Sequence, residues 1–172
     1  DVPMDAINFY TNSISASIAS GNGRNVFFDL QRTGVTAAAF SVDNTNAGNQ
    51  GTRITFTETG KYFIVYHLGI NIAGATSRSQ LTSDLVWDDG TNSDQQITGF
   101  RGALVLDTNG LNISNTVLND TISASGILDI TSVSPNWLGR EIYVRVNPPS
   151  GGSSVNLIQD ACSISIVKLK GG

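Results

Sequence analysis

Residues Arg53 to Ile72 read RITFTETGKYFIVYHLGINI. Two runs rich in β-branched and aromatic residues flank Glu58-Thr59-Gly60. That order spells a strand, a tight glycine turn and a longer strand, and predicts a hairpin. In the first run Ile54 and Phe56 point one way and Thr55 and Thr57 the other. In the second, Tyr62, Ile64, Tyr66, Leu68 and Ile70 share a face, opposite Phe63, Val65, His67, Gly69 and Asn71. Period two holds throughout. The second run starts apolar on both faces. One face of a sheet in an antiparallel sandwich normally meets water, so something is expected to cover this one. A second copy of the chain is the candidate.

Outward from that stretch, turn signals recur about every ten residues. Strands are predicted near Ala6–Tyr10, Ile14–Ala19, Val26–Leu30, Gln80–Trp87, Gln96–Leu106, Leu111–Leu118, Thr121–Ile130, Glu141–Val146, Val155–Ile158 and Cys162–Leu169. Thr36–Val42 reads as strand or loop. Asn109-Gly110 is the strongest hairpin signal, and Asn147–Gly152 (NPPSGG) interrupts regular structure. No segment keeps a helical period over three turns, and no repeat is visible. Many short strands with frequent turns indicate one all-β domain over residues 1–172, a sandwich or jelly roll.

Charged residues are 14 % of the chain, against about a quarter in an ordinary soluble domain. Ser, Thr, Asn and Gly take their place, which favours an extracellular type of surface. The net charge of −4 leaves no broad basic patch for nucleic acid. No apolar stretch is long enough to span a membrane. No signal sequence precedes Asp1, so the expectation is a mature fragment or export by another route. The single cysteine, Cys162, excludes an intrachain disulfide and reads as a small buried hydrophobe.

The sequence carries no recognisable catalytic signature. A single histidine, His67, excludes paired-histidine metal sites, and GxSxG is absent. Gly21-Asn22-Gly23 lacks the third glycine of a dinucleotide fingerprint. The loops Asp43–Asn46 and Asp88–Asp94 are rich in oxygen ligands that suit Ca²⁺, with Asp43, Asp88 and Asp89 as candidate ligands, although neither fits an EF-hand. Asp, Asn and Gly are also the normal residues of solvated turns. Arg140, Glu141 and Arg145 lie close on one strand, as ion-pair partners or as a solvated face.

Several segments resemble the C1q/TNF-like superfamily. TETGKYFIVYHL at Thr57–Leu68 is similar to its glycine turn and aromatic central strand. SASGILDI at Ser123–Ile130, LGREIYVRV at Leu138–Val146 and CSISIVKL at Cys162–Leu169 resemble its later strands. Their order and spacing also resemble the C-terminal domains of bacterial collagen-like proteins of the Bacillus exosporium filament type. The resemblance implies a ten-strand jelly roll that forms a homotrimer, with the first, third, last and a penultimate strand in the inner sheet near the threefold axis. It implies candidate interface residues Tyr62, Phe63, Val65, Tyr66, Tyr143, Arg145 and Val167, each of which also suits ordinary core or surface. Calcium in C1q-like heads adds some weight to the acidic loops. No other cofactor is expected.

Two functions compete. One is a non-enzymatic trimeric head of a surface filament, structural and adhesive, on a spore or cell. The other is a receptor- or glycan-binding tip of a phage or viral fibre, with Trp87 and Trp137 as candidates for stacking on sugars. Both place the chain at an extracellular or virion surface. An enzyme is the third and least supported reading.

Overall fold

The computed structural model describes residues 5–11, 23–32, 39–46, 50–73, 79–88, 95–106, 118–131, 137–147 and 154–169. All of their regular structure is β. Two antiparallel sheets face each other. Sheet A comprises β1 (Ala6–Tyr10), β3 (Leu30–Gln31), β6 (Gly60–Ala73), β9 (Leu118–Ile130) and β11 (Ser154–Lys168), in the order β3-β1-β11-β6-β9. Sheet B comprises β4 (Phe40–Asp43), β5 (Arg53–Phe56), β7 (Ser79–Asp88), β8 (Gln95–Leu106) and β10 (Glu141–Asn147), in the order β4-β5-β10-β7-β8. The two-residue β2 (Arg24–Asn25) pairs with β10.

The core lies between the sheets. Tyr62, Ile64, Tyr66, Leu68, Ile70 and Ile72 from β6 are all fully buried, as the alternation requires. Cys162, Ile164 and Ile166 continue that layer on β11, and Ile7 and Phe9 on β1. Sheet B answers with Ile54, Phe56, Leu81, Leu85, Ile142, Val144 and Val146. Phe40, Phe56 and Tyr62 pack ring against ring across the gap, with centroids 4.6–5.9 Å apart.

The expected Arg53–Ile72 hairpin is corrected. β5 pairs with β4 and β10, whereas β6 pairs with β11 and β9, so Glu58-Thr59-Gly60 carries the chain from one sheet to the other. Gly60, with φ of +145°, makes that corner. The Val26–Leu30 strand is also corrected. Between β2 and β3 the chain bonds singly: the Val26 amide donates to Val144, and Phe28 exchanges bonds with the Thr52 hydroxyl. The two expected C-terminal strands are one, β11, interrupted by a bulge between Leu157 and Cys162. Gly69 opposes that bulge, where a Cβ would stand 2.4 Å from the Ala161 Cβ. The expected Ile14–Ala19 strand, the Asn109-Gly110 turn, Asp89 and residues 111–117 lie outside the described residues.

Candidate assembly face

The outward face of sheet A is built by the residues out of phase with the core. Pairing registers align them in rows across four strands. Ala6, Val167, Phe63 and Ile127 make an apolar row on β1, β11, β6 and β9. Phe63 is 38 % exposed and Ile127 60 %, the two large apolar side chains of this sheet that remain open to solvent among the described residues. Asn8, Ser165, Val65 and Ser125 form the next row, where Asn8 Nδ2 donates to Ser165 Oγ at 2.5 Å. Tyr10, Ser163, His67 and Ser123 form the third. Small serines beside a bulky row give a face that another flat surface can approach closely.

The other candidates fall elsewhere. Tyr62 and Tyr66, expected at the interface, are turned into the core by period two, where they are 0 % exposed. Tyr62 donates to the Glu58 carbonyl at 2.7 Å, and burial raises its phenol above the usual range. The Tyr66 hydroxyl meets the Ser83 carbonyl and Oγ at 3.1 Å and the Phe100 carbonyl at 3.2 Å. Burial pushes its pKa up to about 12. Tyr143 and Arg145 sit on β10, in sheet B, and cannot share a face with Phe63. Tyr143 is buried beneath the Arg53 guanidinium, 3.4 Å from its ring centroid, on the outward side of that sheet. Arg145 bonds to Asn25 Oδ1 at 3.4 Å. Beside it, the buried Asp84 carboxylate accepts from Arg101 at 2.7 Å and from Asn147 at 2.9 Å.

Trp87 and Trp137 are half-buried against the core. Asp43 is exposed and accepts from the Thr45 amide and hydroxyl at 3.0 and 2.8 Å, which lowers its pKa. Asp88 lines an open depression of about 330 Å³ with Gly139, Arg140 and Glu141. Among the described residues, no group of three or more His, Cys, Asp and Glu is placed to hold a metal ion. Ile127 escaped the sequence reading. Its signal was there: it is out of phase with Leu128 and Ile130, which face the core.

No family model and no curated protein matches the chain. Solved structures do. The Eiger TNF of S. frugiperda superposes with a TM-score of 0.65 at 12 % identity, covering 99 % of this chain and 95 % of that one. Murine APRIL at pH 5.0 gives 0.57 at 11 %, covering 96 % and 99 %. Murine APRIL at pH 8.0 gives 0.52 at 12 %, with the same coverage. The fold is a TNF-like jelly roll. The likeness covers almost the whole of both chains. In this TNF-like sandwich, the outward face of sheet A is built along the strand that the sequence marked as apolar on both sides.

Proposed function

We propose that the chain is a non-enzymatic head domain that assembles as a homotrimer through the outward face of sheet A. One observation carries the reading. Val167, Phe63 and Ile127 stand side by side on adjacent strands, and the last is 60 % exposed in the single chain. Such a row costs free energy in water, and a copy of the chain is the cover already at hand. The expectation of a trimer, stated from the sequence resemblance, selects three copies over two. The low charge and Ser/Thr/Asn-rich surface support a structural and adhesive role on the outside of a cell, spore or particle. Immunogold labelling of the intact source with antibody to the domain tests that location. Trp87 and Trp137 pack against the core, so they lend the sugar-binding alternative no observation of its own.

The test of assembly is sedimentation equilibrium at micromolar concentration. The expected mass is three times the 18.2 kDa chain. Ile127→Asp and Phe63→Asp should yield folded monomers, because both positions are open in the single chain and only the assembled face excludes a charge. Arg145→Ala, on the other sheet, should leave the trimer intact. A wild-type monomer, or a trimer indifferent to both aspartates, would refute the reading.

A further inference from the structure

The outward face of sheet A carries the single histidine of the chain near its middle. His67 is exposed on β6, and the register sets Ser163 on one side of it and Ser123 on the other. Val65 and Gly69 precede and follow it on the same face of its own strand, with Ser125 and Ser165 on the diagonals. The charged groups of the face stand farther off. Lys61 and Asp129 oppose each other three rows away, about 20 Å along the strands. Arg32 lies over the Tyr10 ring at 5.3 Å, at the β1 end of the His67 row, and Tyr10 itself is about 10 Å from His67 across two strand spacings. Asp160 stands on the β11 bulge beyond Ala161, and Asp120 beyond Thr121 near the end of β9. Among the described residues, no carboxylate holds a register position beside His67, and the Arg32 guanidinium over Tyr10 opposes a second positive charge.

We propose that His67 makes self-association of this chain acid-labile. The inference rests on the assembly reading above and assigns that face its regulation. A copy pressed against the face strips water from the imidazole, which favours the neutral form when no counter-charge is supplied. Each copy that joins adds one more imidazole to be kept neutral. Separated chains then bind more protons than the trimer does. Assembly is therefore complete at higher pH and is lost as pH falls through the range where histidine gains its charge. With three imidazoles held neutral, the limiting rise in half-assembly concentration is about 30-fold per pH unit on the acid side.

Sedimentation equilibrium at pH 7.5, 6.5 and 5.5 tests this on the wild type, His67→Gln and His67→Ser, with far-UV circular dichroism to follow the fold. Carboxylates protonate mostly below this window, so the single histidine dominates it. The expected result is a wild-type trimer at pH 7.5 that separates into folded chains by pH 5.5, and variants that stay trimeric throughout. A wild type equally associated at pH 7.5 and 5.5, or variants that dissociate in acid as the wild type does, would overturn the proposal while leaving the trimer standing. A wild-type monomer at pH 7.5 would instead refute the assembly reading, and the proposal with it.

Discussion

Tyr66→Phe removes one oxygen from the middle of the sandwich, and the structure fixes what that oxygen does. The hydroxyl of β6 lies within 3.1–3.2 Å of the Ser83 carbonyl, the Ser83 hydroxyl and the Phe100 carbonyl. It ties sheet A to β7 and to the bulge where β8 carries Phe100 inward. Without it a buried carbonyl and a buried hydroxyl lose a partner, at a cost of about 1–3 kcal/mol. In a chain of 172 residues the melting temperature should fall by roughly 2–4 °C for each kcal/mol. The pH dependence sharpens the test. The folded phenol has its pKa raised from 10.0 to about 12. Above pH 10 the unfolded chain gives up this proton and the folded chain keeps it. The contribution is therefore full below pH 10 and is lost as pH rises towards 12, by about 2–3 kcal/mol. Urea unfolding of wild type and variant at pH 8, 10 and 11.5 measures both effects. The variant should be weaker at pH 8, and the gap should close as the wild type loses stability in alkali. Parallel curves with a constant gap would show that the hydroxyl is not sequestered as described.

Ile166→Asp places an unpaired carboxylate at a fully buried position of the central strand β11. The penalty of several kcal/mol rivals the stability of a domain, so little soluble folded protein should be recovered on expression. Gly69→Ala drives a methyl against Ala161 and should cost about 1–3 kcal/mol in urea unfolding. Adding Ala161→Gly should restore part of that loss, and strict additivity of the two changes would contradict the contact. Cys162 is buried, with its thiol pKa raised by burial. Ellman's reagent should react slowly with the native protein and fast in denaturant, and equal rates would place the sulfur at the surface.

Most of the sandwich was legible because strand alternation is a local signal. The alternation from Tyr62 to Ile70 separates the two faces of β6, although both Tyr62 and Tyr66, which the structure buries, stand among the interface candidates of the sequence reading. The partner of each strand was not legible. Glu58-Thr59-Gly60 has the chemistry of a hairpin turn, but a glycine corner that changes sheets uses the same residues. The Val26–Leu30 segment has strand composition, yet its backbone bonds go to Val144 and to the amide and hydroxyl of Thr52, distant positions that no local pattern reveals. Tyr143 looked like an interface aromatic because its cover is Arg53, a residue that composition assigns to solvent. On the candidate face, Phe63 and Val65 were readable from the two-sided run. Ile127 and the serine rows emerged only when register set β9 and β11 beside β6.

The place of β11 bears on how the domain is made. Among the described strands it is the last in chain order, and it lies between β1 and β6 at the centre of sheet A. Until it arrives, β1 lacks the neighbour along which all five of its residues pair, and β6 has an open flank. A ribosome delivers the chain from the other end, so early segments must wait for a closing strand that has not yet emerged. Pairing Ala6 with Val167 also closes a loop of nearly the whole domain, which slows the step further. Through that wait the unpaired edges are open to other nascent chains on the same message. Three such chains, held near one another on one polysome, would meet in the setting where the proposed trimer is easiest to complete.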